Sequence, residues 1–262
     1  GAPAATTVAA SSVTASTAVL NGTGNPNGAA AIGWFRYSNT DPGTCNDSFG
    51  WRAPYSGNLN LGSAAASVPF AQSVSSLLPG TTYYYCAIAS NSYGTSYGAV
   101  LTFSTPATAP TVNTNGASNL TRTTGVLNGY ANPGGAATTA YFRYDTASPG
   151  TCNDSFGKRS PSTGGSALGS GSSSVSFDQS ISGLTASTLY YFCAIASNSI
   201  GKVFGTVQTF ITPGSPTART NAASNLANTS ATLNGAGNPQ RAAATGWFRY
   251  STTSPMTCDD KF

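Results

Sequence analysis

Apolar and polar residues alternate along this chain with a period of two. Val68, Phe70, Gln72 and Val74 are separated by single residues, and Val175, Phe177, Gln179 and Ile181 repeat the arrangement. Such alternation puts every second side chain on one face and predicts half-buried β-strands. Runs of Thr, Val, Tyr and Phe are broken by Gly, Pro and Asn every 8–12 residues or so, the spacing of an all-β sandwich. No helical periodicity of useful length is present, so the expected fold class is all-β.

The same segments then return. Leu20-Asn21-Gly22 recurs as Leu127-Asn128-Gly129 and Leu233-Asn234-Gly235, and Asn25-Pro26 as Asn132-Pro133 and Asn238-Pro239. Phe35-Arg36-Tyr37 recurs as Phe142-Arg143-Tyr144 and Phe248-Arg249-Tyr250, and Cys45 as Cys152 and Cys258. The offsets are 107 and then 106 residues, one sandwich-sized domain per repeat. Thr105-Pro106 and Thr212-Pro213 close the first two copies, and Pro-rich connectors lead to Pro110 and Pro216. The expected domains are therefore 1–106, 107–213 and a front part of a third at 214–262. Pro3 lies one period before Pro110, where a connector from a preceding copy would end. Half a sandwich cannot bury both inner faces and leaves a long edge unpaired. The expectation is that the polypeptide continues past Phe262, with completion by another chain as the alternative.

Leu77, Pro79, Gly80, Thr81 and Tyr83 spell an L-x-P-G-T-x-Y turn, and Leu184, Thr188 and Tyr190 give a weaker form with Ala186-Ser187 in place of Pro-Gly. Ala89-Ser90-Asn91-Ser92 and Thr102-Phe103-Ser104-Thr105-Pro106 follow. Together with the Asn-Pro turn and the Phe-Arg-Tyr strand, these motifs resemble the fibronectin type III-like repeats of bacterial surface and secreted proteins. The resemblance covers both full copies and the front of the third. It implies tandem β-sandwiches, with Tyr83 as a tyrosine corner whose hydroxyl bonds back to nearby backbone. For function it implies a spacer, an adhesive unit or an accessory to an enzyme.

Cys45 and Cys86 are 41 residues apart, as are Cys152 and Cys193. A free thiol or a metal site competes with pairing, but there is no His and no C-x-x-C spacing. One disulfide per domain is expected, in an oxidising compartment, with the partner of Cys258 beyond the chain end. Along Tyr83 to Ala89, an inward corner Tyr puts Tyr85, Ala87 and Ala89 inside as well. Tyr84, Cys86 and Ile88 then face outward, and the bridge folds the segment after Tyr37 over that outer face.

If Phe35 and Tyr37 face the core, Trp34 and Arg36 face out, as do Tyr141 with Arg143 and Trp247 with Arg249. An aromatic and an Arg thus recur beside Tyr84 and Ile88, giving a candidate contact face for neighbouring chains or sugar rings. The alternative is that the bridged segment covers them and the Arg stacks on an aromatic within the domain. Trp51 and Tyr55 lie in that segment of copy one, whereas copy two has Lys158 and the Gly165 region there.

Composition narrows the chemistry. Charged residues make up 7% of the chain, against roughly 25% in ordinary soluble proteins. The net charge of +4 is spread thinly, so nucleic acid is not an expected partner. No stretch approaches the roughly 20 apolar residues of a membrane span, and no signal peptide is visible. For a disulfide-bearing protein, that last absence implies that the gene product starts upstream. With no His and no Glu, the seven Asp form no pair that repeats between copies. No phosphate loop occurs. No enzyme, cofactor or metal is expected.

Asn46-Asp47-Ser48 and Asn153-Asp154-Ser155 carry too few oxygens for calcium and fit turns closed by Asx hydrogen bonds; copy three has Asp259-Asp260-Lys261. Sequons stand at Asn21, Asn46, Asn119, Asn153 and Asn228 and would carry glycans in a source that glycosylates. Two readings follow. The chain forms or belongs to an extracellular or cell-surface fibre, stalk or adhesin that associates with further copies of itself. Alternatively, it is a spacer or carbohydrate-binding accessory region of a larger secreted enzyme.

Overall fold

The computed structural model describes residues 1–262 and contains strands and turns but no helix. The first repeat holds β1 (Ala4–Ser11), β2 (Ala18–Asn25), β3 (Ala31–Ser38), β4 (Trp51–Ala53), β5 (Leu59–Gly62), β6 (Val68–Val74), β7 (Thr82–Asn91), β8 (Gly94–Tyr97) and β9 (Leu101–Ser104). The second repeats this set as β10 (Thr111–Ser118), β11 (Thr124–Asn132), β12 (Thr138–Asp145), β13 (Lys158–Ser160), β14 (Ser166–Gly169), β15 (Val175–Ser182), β16 (Leu189–Ser197), β17 (Lys202–Phe204) and β18 (Gln208–Ile211). The third contributes β19 (Thr217–Ser224) and β20 (Thr232–Asn238), which pair with each other.

In each full repeat one sheet runs β1-β2-β6, or β10-β11-β15. The other is centred on β3 and β7, or β12 and β16; β4 and β5 share one edge, and β8 and β9 the other. All pairings are antiparallel. Three strands facing four, with the later edge strands split in two, is the strand order of a fibronectin type III-like sandwich.

The alternating pattern explains the core. Phe35, Phe70, Val74, Tyr83, Tyr85, Ala87 and Ala89 project between the two sheets of repeat one with Leu20 and Phe103. Phe142, Phe177, Ile181, Tyr190, Phe192 and Phe210 do so in repeat two. Rings cross the sandwich in contact, Phe35 meeting Phe70 with centroids 4.9 Å apart and Phe142 meeting Phe177 at 5.0 Å. Within one sheet, Tyr83 stacks on its cross-strand partner Phe103 at 5.5 Å and Tyr190 on Phe210 at 5.2 Å. Such pairs add about 0.5–1.5 kcal/mol beyond their burial.

The recurrent polar motifs serve the backbone. Leu20 fills the core, while the Asn21 amide donates to Ala9 O at 2.9 Å and Ser11 Oγ at 3.0 Å, closing the bulge where β1 shifts register against β2. Asn128 and Asn234 do the same for β10 and β19. A Cβ on Gly22 would stand 2.8 Å from that of Ala87, so only glycine lets the sheets approach. Leu-Asn-Gly is therefore a packing signature.

Tyr83 and Tyr190 form the expected corners, but as acceptors: the Leu78 and Thr185 N–H groups donate to their hydroxyls at 2.9 Å. Buried Thr105 fastens the same turn, accepting from Thr81 N–H at 3.0 Å and donating to Leu78 O at 2.6 Å. Thr212 repeats this with Thr188 and Thr185.

In the third repeat no strand follows β20. Residues 241–262 have no counterpart of β7 to flank them, and Trp247, Phe248 and Tyr250 are exposed.

Candidate functional site

The disulfides bring the recurrent residues together. Cys45 bonds Cys86 and Cys152 bonds Cys193, each with Cα atoms 6.0 Å apart, while Cys258 is unpaired and exposed. Cys86 sits on the outer face of β7, so the bridge draws residues 39–50 across that face. Beneath them Trp34, Cys86 and Ile88 form a second, smaller cluster, with Cys45 and Phe49 packed against it.

Trp34, Ile88 and Tyr141 are consequently buried, and the surface above them belongs to the bridged segment. In the two full repeats these three side chains are packing residues and cannot themselves form an outward contact surface. Arg36, Tyr84 and Arg143 are half-buried at the margin. In the third repeat Trp247 and Arg249 remain exposed. Trp51 and Tyr55 stand at the surface of repeat one, Tyr55 at 94% of its full exposure.

Arg36 does not stack on the neighbouring aromatic; its Nε donates to Asp47 Oδ1 at 2.9 Å, and Trp34 Nε1 donates to the same oxygen at 2.8 Å. The stacking partner is Arg52, whose guanidinium lies 5.0 Å from the Trp34 ring centroid. In repeat two Arg143 pairs with Asp154 at 3.4 Å, and Arg159 stacks on Tyr141 at 3.8 Å. In repeat three Arg249 and Trp247 reach Asp260 at 3.1 and 3.0 Å.

Within the Asn-Asp-Ser loops the Asx turn is made by the first residue. Asn46 Oδ1 accepts from Ser48 and Phe49 N–H groups, Asn153 from Ser155 and Phe156, and Asp259 from Lys261 and Phe262. The following Asp is free to bridge the strand beneath. The sequence carried that signal as an Asp thirteen residues after the aromatic in all three copies. It carried the stacking Arg as a recurrence of Arg52 at Arg159.

Repeat two adds Lys202, whose Nζ donates to Asp154 Oδ2 at 2.5 Å. Burial would push the Asp154 carboxyl up, but the Lys202 and Tyr141 hydrogen bonds and the charges of Lys202 and Arg143 hold it below the usual carboxylate value. The hydrogen bond to Asp154 raises the Lys202 ammonium in turn. Each shift favours the charged form, as a salt bridge between the two side chains requires. Tyr141 is pushed up by burial first and by Asp154 second. At Asp260 the bonds from Trp247 and then Arg249 lower the carboxyl.

No group of three or more Cys and Asp side chains converges in a metal-binding arrangement. A recess of about 430 Å³ is lined by Gly150, Thr151, Cys152, Phe204, Gly205, Thr206 and Val207, with Cys152 in its disulfide and Thr151 and Thr206 contributing hydroxyls. No helix is long and apolar enough to cross a membrane. Of the sequon residues, Asn21 is committed to β1, and Asn46 and Asn153 to their turns. Asn119 and Asn228 are exposed.

No protein-family model matches this chain. No curated protein matches it either. Among solved structures, the crystal structure of the FN1–FN3 domains of chicken CNTN1 is similar: 15% identical, with a TM-score of 0.45, over 86% of this chain and 71% of that one. The fold class stands on the sheet order and the tyrosine corners. The disulfides and the sandwich are consistent with an extracellular domain.

Proposed function

We propose that this chain is a non-catalytic structural repeat protein of the cell exterior, forming or belonging to a fibre, stalk or adhesin. The observation that carries this reading is the use made of the recurrent polar residues. Asn21, Asn25, Asp47, Asn91 and Thr105 each bond their own repeat's backbone or an adjacent side chain. Their counterparts in repeat two do likewise. Repetition here preserves a shape, with no set of reactive groups carried from copy to copy. Disulfides persist in oxidising surroundings, and a chain with 7% charged residues packs against its own kind with little electrostatic repulsion. Repeats joined end to end behave as a quasi-one-dimensional object.

Electron microscopy of the native material tests this. Regular filaments with an axial period of one or two domains support a structural polymer; dispersed short rods overturn the fibre reading and leave a stalk or spacer. Exposed Trp51 and Tyr55 favour a second reading, a polysaccharide-contacting accessory region. Retention on a glycan column that is lost in a Trp51→Ala, Tyr55→Ala double variant would select it.

A further inference from the structure

The two joints between repeats share one backbone frame but differ in the side chains that fill it. At the first, Gly80 N–H donates to Pro106 O at 3.2 Å and Thr108 N–H to Gly134 O at 2.8 Å. At the second, Ser187 N–H donates to Pro213 O at 3.3 Å and Gly214 N–H to Gln240 O at 3.0 Å. One bond of each pair ties the connector to the repeat behind it, and the other ties it to the repeat ahead. The Asn198 amide adds a clamp, donating to Thr108 O and Pro133 O at 2.9 Å each. Ser172 Oγ reaches back across the first joint to Pro79 O at 3.2 Å. A connector bonded on both sides does not behave as a free linker.

Steric fit differs between the joints. At the first, two glycines meet backbone to backbone. A Cβ on Gly135 would stand 2.5 Å from Pro79 O and 2.7 Å from Gly80 Cα, and one on Gly80 would overlap the Gly135 carbonyl. Their φ angles are +84° and +61°, the left-handed region that glycine enters without cost. The corresponding residues at the second joint are Arg241 and Ser187, at +70° and +51°. There the connector is one residue shorter, and its Gly214 packs against Ser187 Oγ and lies 3.2 Å, measured from an added Cβ, from that of Gln240. The small residue has moved from the turns to the connector.

We infer that these ends are keyed docking surfaces. The Gly134-Gly135 turn with Ser172 takes the Pro79-Gly80 end of repeat one. The Gln240-Arg241 turn with Gly214 takes the Ser187 end of repeat two. The first surface excludes the Ser187 end in the same geometry, since any Cβ at the place of Gly80 overlaps the Gly135 carbonyl, so the relative angle of repeats one and two is written into their joint. This coupling lies within one chain and stands whether or not chains associate.

Residual dipolar couplings of the backbone amides in the full chain test the inference. In the native chain the couplings of repeats one and two should fit a single alignment tensor. Gly135→Arg, which carries the residue from the matching place of repeat three, should lose that fit and require two tensors while core chemical shifts of both repeats stay unchanged. Should the Arg disturb its own turn, Gly135→Asn keeps a residue that tolerates positive φ and still adds the Cβ; the same loss is expected. Two tensors in the native chain, or a variant whose core is intact and whose tensor and orientation are native, would overturn the keyed joint.

Discussion

Trp34 Nε1 donates to Asp47 Oδ1 at 2.8 Å, so the indole that looks like a surface platform in the sequence is the anchor of the disulfide-bridged segment. Trp34→Phe keeps the buried ring and loses the donor, while Asp47 retains Arg36. The expected cost to repeat one is about 1 kcal/mol. Trp34→Ala also empties the space under Phe49 and should cost about 3–5 kcal/mol. Urea unfolding followed at repeat-one amide signals in the full chain checks both; equal small losses would place the ring outside the packed cluster.

The two tyrosine corners should be equivalent. Tyr83→Phe and Tyr190→Phe each leave one N–H, of Leu78 or Thr185, without its acceptor. Each should destabilise its own repeat by about 1 kcal/mol. Tyr85→Phe should cost a similar amount through the lost bond to Val8 O, and repeat two already carries Phe192 at that place. Per-repeat unfolding free energies give the comparison.

Each disulfide closes a separation of 41 residues, worth about 4 kcal/mol in the chain-entropy model. Paired Cys45→Ala, Cys86→Ala replacement should lower repeat-one stability by about that amount and leave repeat two unchanged. Protease resistance should fall sharply on reduction. Resistance that survives full reduction would mean that the sandwich core alone holds the segment.

Repeat two should show a small acid loss and a small alkaline loss. The folded chain holds Asp154 below its ordinary 3.8, so its contribution is complete above that value and disappears as pH falls through the lower folded value. Lys202 is raised above 10.5, so its contribution is complete below that value and disappears as pH rises through the higher folded one. With neither His nor Glu in the chain, stability between about pH 5 and about pH 9 should be nearly flat. The two side chains are 34% and 41% exposed, so the pair should contribute at most about 1 kcal/mol and less in high salt. Melting of Lys202→Ala against the native chain across pH and salt measures it.

Much of this architecture was legible in the residues. Period-two alternation, the recurring Leu-Asn-Gly, Asn-Pro and Phe-Arg-Tyr motifs and equal cysteine spacings specify strands, sandwiches and pairings, because each is a local or periodic constraint. Side-chain direction along β3 and β7 followed from the same alternation: Phe35 and Tyr85 lie in the core, and Trp34 and Ile88 on the other face. What sequence periodicity could not assign was which partner completes each polar group. Arg36 and Arg52 are equally good candidates to stack on Trp34 until the bridged segment is folded across the sheet. Only that fold puts Asp47 over Arg36 and leaves Arg52 on the ring. The joints show the same division. The connectors read as short and Pro-rich, but the contact of Gly80 with Gly135 joins residues of different domains, and its distance limits come from three-dimensional docking that no one-dimensional pattern encodes.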